Sequence, residues 1–112
     1  MIRERDKSRK ILNALIDYFV VHDFREFVGS IAIEDGYTKI VVEGIIDPSN
    51  IDENELRSQL DHPRMHEYED TYDNLLESSM ETELDAVGYL VDDVDMSIDV
   101  NALSIKLIRK HL

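Results

Sequence analysis

The sequence predicts an α+β fold: a two-layer α/β sandwich with helices on one face of an antiparallel or mixed sheet of about four strands. Three observations predict it. Apolar residues recur at helical spacing near the start of the chain. Two later stretches alternate at strand spacing around turn-forming residues. The order helix, hairpin, polar stretch, helix, hairpin repeats an α-β-β unit. No linker composition divides residues 1–112, so a single domain is expected.

The elements follow in order. Ile11, Leu12, Leu15, Ile16, Phe19, Val20, Phe24 and Phe27 step by three and four, which predicts an amphipathic helix over residues 4–27. S-I-A-I-E-D-G-Y-T-K-I-V-V-E-G-I-I then reads as two strands joined at Asp35-Gly36. Ile40 to Ile46 is apolar at both parities, as in a central strand covered by helices on at least one side. Asp47-Pro48-Ser49-Asn50 ends it, because proline cannot continue a ladder and Asp and Ser bond locally to the backbone. A short helix follows, with Asp52 or Ser49 as cap and Ile51, Leu56 and Leu60 as its apolar edge, and Pro63 stops it. Residues 66–79 favour a polar helix with Tyr68, Tyr72, Leu75 and Leu76 inward. Met80, Leu84, Val87, Leu90, Val91 and Val94 outline a better buried one. V-D-M-S-I-D-V and L-S-I-K-L-I-R close the chain as strands around Asn101-Ala102.

Composition narrows the chemistry. The chain has no cysteine, which excludes disulfides, thiolate metal sites, iron–sulfur clusters and thiol nucleophiles. Its net charge of −13, from 25 acidic and 12 basic residues, repels nucleic acid, anionic lipid and nucleotides at long range. Neither a nucleic-acid nor a membrane partner is expected. No apolar run approaches the roughly 20 residues a membrane span needs, and no signal-type cleavage site is visible, so a cytoplasmic location is expected. Basic residues gather at both ends, whereas Asp47 to Glu83 holds twelve carboxylates against Arg57 and Arg64 alone. That segment is either a solvated face or a surface for a basic partner.

Two local stretches stand out within this order: A-L-I-D-Y-F-V-V-H-D-F in the first helix, and L-D-A-V-G-Y-L-V-D-D-V-D-M-S-I-D-V-N-A-L-S-I-K-L-I-R-K at the end. Together with the order they resemble the histidine-kinase-like ATPase fold, particularly the small anti-sigma-factor kinases of Gram-positive bacteria. The first is similar to that family's first helix, E-x-x-x-N-x-x-x-H, with His22 in the histidine place, and the second resembles its last helix and closing hairpin. The resemblance implies a nucleotide site, but Ala14 stands at the acidic position and Tyr18 at the Mg²⁺-holding asparagine. Tyrosine is a poor ligand for a hard cation. V-V-E-G-I-I-D-P-S-N replaces the D-x-G-x-G box, leaving Asp47 or Glu43 to imitate its aspartate. Met80-Glu81-Thr82-Glu83-Leu84 replaces the glycine-rich phosphate box and sets two carboxylates against a triphosphate. Ala14, Tyr18, His22 and Asp47 are therefore expected as vestigial positions in a degenerate relative.

Q-L-D-H-P-R-M-H-E-Y-E-D-T-Y-D, residues 59–73, is the densest gathering of metal-ligating and acid/base groups. His62 and His66 stand four apart, but Pro63 interrupts the helix that would align them, and the motif is not H-E-x-x-H. The stretch falls where the resembled family carries its nucleotide lid. The expectation is that Met65, Tyr68 and Tyr72 fold inward as a plug while Arg64 and the histidines face outward. His62, Arg64, His66, Glu67, Tyr68 and Tyr72 then form the candidate interaction surface.

The function expected is a non-catalytic regulatory or protein-interaction domain. No cofactor, metal or catalytic residue is assigned, and the partner is a protein, a basic one or a second copy of the chain. The alternatives are a divergent ATP-binding serine kinase of the anti-sigma type, using His22 and Asp47, and a small metal-dependent or acid/base enzyme at residues 61–70. A ferredoxin-like small-ligand sensor would also accommodate the doubled α-β-β order.

Overall fold

The computed structural model describes residues 2–22, 24–47, 49, 51–78 and 84–111, with side chains for all of these except 2, 3, 77 and 78. Met80, Glu81, Thr82 and Glu83 of the expected phosphate-box replacement lie outside the described residues.

Helix α1 spans Ile2–Val21 and buries Ile11, Ala14, Leu15, Tyr18 and Phe19, one stripe at 3.6-residue spacing. It stops short of the expected residue 27. The Phe24 amide donates to the Phe19 carbonyl (3.1 Å), and the pattern then switches to period two, so Phe27 belongs to a strand. Phe19 stacks on Phe24 (centroids 4.0 Å apart) and meets Phe27 edge-on (5.7 Å). Gly44 is required beneath this trio, because a Cβ there would lie 2.8–3.0 Å from all three rings' side chains.

Strands β1 (Glu26–Ile33) and β2 (Tyr37–Ile45) form the first hairpin, and β3 (Asp93–Asp99) and β4 (Ala102–Lys110) the second. All pairings are antiparallel in the order β1-β2-β4-β3, which resolves the antiparallel-or-mixed expectation. The strands of each hairpin are direct neighbours and β2·β4 joins the units, unlike the split arrangement of a ferredoxin-like sheet. β2 is central, as expected, but buries one face only. Thr38, Ile40, Val42 and Gly44 point inward, while Tyr37, Lys39, Glu43 and Ile45 are exposed. On β4 Leu103, Ile105, Leu107 and Arg109 point inward. The second turn is Val100-Asn101, one residue earlier than expected, because Asp99 pairs with Ala102; Val100 has φ 57°.

Between the hairpins, α2 (Glu53–Leu60) starts at Asp52, whose carboxylate accepts the Glu55 amide (3.1 Å). It ends before Asp61, two residues ahead of Pro63. One 3₁₀ turn, His66–Tyr68, leads into α3 (Glu69–Ser78), and α4 follows at Leu84–Tyr89. Leu90 and Val91 are buried beyond the end of α4, and Val94 already lies on β3. The Asp92 amide donates to Ile108 O (2.8 Å), which brings the chain back onto the sheet there. The core lies between the helices and the inward face, with Leu15, Ile40, Val42, Leu56, Leu60, Val87, Ile105 and Leu107 all buried. The opposite sheet face is uncovered among the described residues.

Candidate functional site

The helical side is closed by an ion cluster that sequence reasoning did not find. Arg109 occupies an inward position of β4 with no exposed side-chain surface. Its Nε and Nη2 donate to both oxygens of Glu4 on α1 (2.9 Å each). Its Nη1 donates to Glu69 Oε1 on α3 (2.9 Å) and to Leu90 O (2.9 Å). Arg64, expected to face a partner, is 3 % exposed and donates to Glu69 Oε1 (2.7 Å), Asp92 Oδ2 (2.8 Å) and Lys110 O (2.7 Å). Its outward orientation is therefore corrected: two carboxylates and a carbonyl meet the Nη1 and Nη2 ends of its planar fork and offset the loss of water, although Nε is buried without a partner. Lys7 adds a third cation at Glu69 Oε2 (2.8 Å), and Lys10 pairs with Asp73 (3.0 Å).

Burial alone pushes the Glu69 carboxyl up, but hydrogen bonds from Arg109, Lys7 and Arg64 outweigh it and hold the group far below the usual carboxylate range. Glu4 is lowered too, chiefly by its hydrogen bond to Arg109 and against the effect of burial. A general acid or base works best with a pKa near the operating pH, so these groups are matched to fastening, not to proton transfer. The visible signal was parity: Arg109 shares the inward set with Leu103, Ile105 and Leu107.

The 59–73 segment separates into inner and outer members. His62 Nε2 lies 2.9 Å from Asp85 Oδ1, and its ring stacks on Tyr89 (4.4 Å). Tyr72, half-buried, stacks on Tyr89 as well (4.7 Å), so that member of the expected plug does fold inward. Tyr68, also expected inward, is 49 % exposed. The turn His66–Tyr68 presents successive side chains outward, and the amide of Tyr68 is already committed to Met65 O (3.1 Å). His66 and Glu67 are exposed beside it, while Met65 is half-buried. Among the described residues no three His, Asp or Glu side chains gather as a metal site.

Of the positions matched to the kinase pattern, Ala14, Tyr18 and His22 are engaged in packing and Asp47 is not. Ala14 and Tyr18 are buried in the core. His22 Nδ1 lies 2.9 Å from Tyr18 O and its ring is 4.0 Å from the Tyr18 ring. Burial raises the Tyr18 phenol, with the nearby Glu55 and Asp52 charges adding to it. Asp47 is exposed and bonded to Ser49 through both amide (3.0 Å) and hydroxyl (2.8 Å), which lowers its carboxyl.

The uncovered sheet face is the other candidate. At one end Lys39, Lys106 and Lys110 surround Tyr37 and Ile108 over a depression of about 540 Å³. None of the three lysine side chains has an ion-pair partner among the described residues, although carboxylates outnumber cations about two to one. At the other end Val28, Ile45 and Ala102 lie with Glu26, Glu43 and Asp99 around a second depression of about 430 Å³. Ladder register gathers these groups: Tyr37 pairs with Lys110 and Lys39 with Ile108, while Ile45 pairs with Ala102 and Glu26. On the β3 side it also sets exposed Asp95 opposite Lys106 and Asp93 opposite Ile108, so the lysine end is bordered by two carboxylates. Comparison with protein-family models, curated proteins and solved structures returned no match. No helix among the described residues is long and apolar enough to cross a membrane.

Proposed function

We propose that this chain is a non-catalytic regulatory domain that acts by binding another protein, on a degenerate framework similar to the histidine-kinase-like ATPases. One observation carries the reading. On the helical side Lys7, Arg64 and Arg109 are spent on internal pairs with Glu4, Glu69 and Asp92, whereas the uncovered sheet face gathers Lys39, Lys106 and Lys110, with no ion-pair partner among the described residues, beside exposed apolar side chains. A protein offering carboxylates to these lysines from the β2 side, away from Asp93 and Asp95, and a cation to the Glu26/Glu43/Asp99 end complements it. Loss of nucleotide chemistry is supported by Ala14 in the core and by Tyr18 and His22 being consumed in each other's packing.

A second reading keeps recognition on the expected surface around His66, Glu67 and Tyr68, favoured by the exposure of the Tyr68 ring. Paired affinity capture from the native host separates the two. Wild type and the double variant Lys39→Glu/Lys106→Glu serve as baits beside Tyr68→Ala. A protein retained by wild type and Tyr68→Ala but lost from the lysine variant is the expected result. Loss on Tyr68→Ala alone moves the site to the 3₁₀ turn. Calorimetry with ATP and Mg²⁺ is expected to give no binding heat, and saturable binding would return the kinase reading.

A further inference from the structure

We propose that the outer edge of β1 is a self-association site. A second copy of the chain adds its own β1 antiparallel to it, about a two-fold axis at Ser30, making one continuous eight-stranded sheet. The proposal concerns the sheet edge, not its open face, and does not depend on the function proposed above.

The two edges of the sheet are built differently. The outer strand β3 carries exposed Asp93, Asp95 and Asp99, charges that discourage a further strand from pairing. The outer strand β1 has no charged residue from 27 to 33, F-V-G-S-I-A-I, in a chain that is 33 % charged. No described segment pairs with that edge. Apolar groups beside it are left partly bare on both faces of the sheet. Val28 on the open face is 68 % exposed, and Ile33 on the helical face is 40 % exposed next to half-covered Ile31 and Leu12.

Antiparallel self-pairing must keep inward residues opposite inward ones, so the two residue numbers of each pair sum to an even value. A sum of 60 puts Ser30 on the axis, sets Val28 against the partner's Ala32 and sets Phe27 against the partner's Ile33. Like charges then meet only at the ends, Glu26 facing the partner's Glu34 beyond the strand. Eight residues span roughly 27 Å. Contact over a thickness no greater than the molecule's smallest extent of 21 Å gives at most on the order of 550 Å² per copy. The total, at most roughly 1,100 Å², lies at or below the lower bound for a stable specific interface, which fits a weak, reversible, isologous dimer. The charge of −13 on each copy opposes association, so salt strengthens it.

Analytical ultracentrifugation of the full chain across micromolar concentrations, at low and high salt, tests this. A monomer–dimer equilibrium shifting toward dimer with salt is expected. Ser30→Lys and Ser30→Glu are each expected to weaken it at least tenfold with unchanged circular dichroism and melting, and an equimolar mixture is expected to recover the dimer as a heterodimer. Ser30→Cys is expected to oxidise to a symmetric disulfide dimer, with no other cysteine to compete. A wild type that stays monomeric to several hundred micromolar, lysine and glutamate variants that associate like wild type, a mixture that stays monomeric, or a cysteine variant that does not cross-link each overturns it.

Discussion

Replacing Glu69 by Gln should be among the most damaging isosteric changes in the molecule. The carboxylate is met by Lys7, Arg64 and Arg109 at 2.7–2.9 Å, and their side chains are 8 %, 3 % and 0 % exposed. An amide keeps one acceptor oxygen but turns two N–H donors toward groups that are themselves donors, and it leaves three dehydrated cations short of one negative charge. Breaking a buried pair by removing one partner costs about 3–5 kcal/mol. Glu4 still holds Arg109 by two hydrogen bonds and Asp92 still holds Arg64, which places the expected loss near the lower end, about 3 kcal/mol. For a domain of this size that corresponds to a fall in Tm of roughly 12 °C. Urea denaturation followed by circular dichroism measures it, with Glu53→Gln as the control. The Arg57–Glu53 pair has similar geometry (2.9 Å) but is 49 % and 45 % exposed, so its loss should cost under about 1 kcal/mol. A Glu69→Gln effect no larger than that of Glu53→Gln would refute the argument that burial gives this cluster its weight.

Three further outcomes follow from the same structure. Glu69 and Glu4 are both held below the value near 4.5 that they take when unfolded, so their contribution is present above that pH and lost as pH falls through their folded values. Denaturation midpoints should therefore hold steady down to about pH 5 and then drop, with a shallower drop in Glu69→Gln, by urea titration at each pH. Val100→Gly should stabilise by about 1 kcal/mol, since a β-branched residue 83 % exposed at φ 57° carries left-handed strain without packing gain; thermal melting reads the sign. Gly88→Ala should destabilise by about 2 kcal/mol, because the added Cβ meets the Leu60 and Gln59 carbonyl oxygens at 2.8 and 3.1 Å, and backbone cannot yield as a side chain can. A neutral result by denaturant midpoint would mean α2 and α4 pack less closely.

What was legible in the sequence was whatever repeats locally. The 3.6 spacing from Ile11 to Phe19 found α1, the alternation in 37–46 and 103–109 found the central strands, and Asp52 and Pro63 bracketed α2. The overrun of α1 to residue 27 has a physical origin: Phe24 and Phe27 stay in helical register by spacing, yet they pack on Phe19 from a turn and a strand. The ion cluster left no local trace. Arg109 meets Glu4 and Glu69 across 105 and 40 residues, distances at which only folding makes neighbours. Arg64 was misdirected outward because a lone arginine among acids, read without its tertiary partners, is a surface group. The open face was hidden for a similar reason, since Lys39, Lys106 and Lys110 become one patch only through the β2·β4 register.

The central claim is that this chain acts through the uncovered sheet face while the charged groups on its helical side hold the fold together. Lysine footprinting of a partner complex captured from the native host, compared with the free chain by mass spectrometry, tests it most directly. Lys39, Lys106 and Lys110 should react readily in the free chain and become protected in the complex, while the buried Lys7 stays slow in both. Unchanged reactivity at those three lysines, in a complex that forms, would contradict the account.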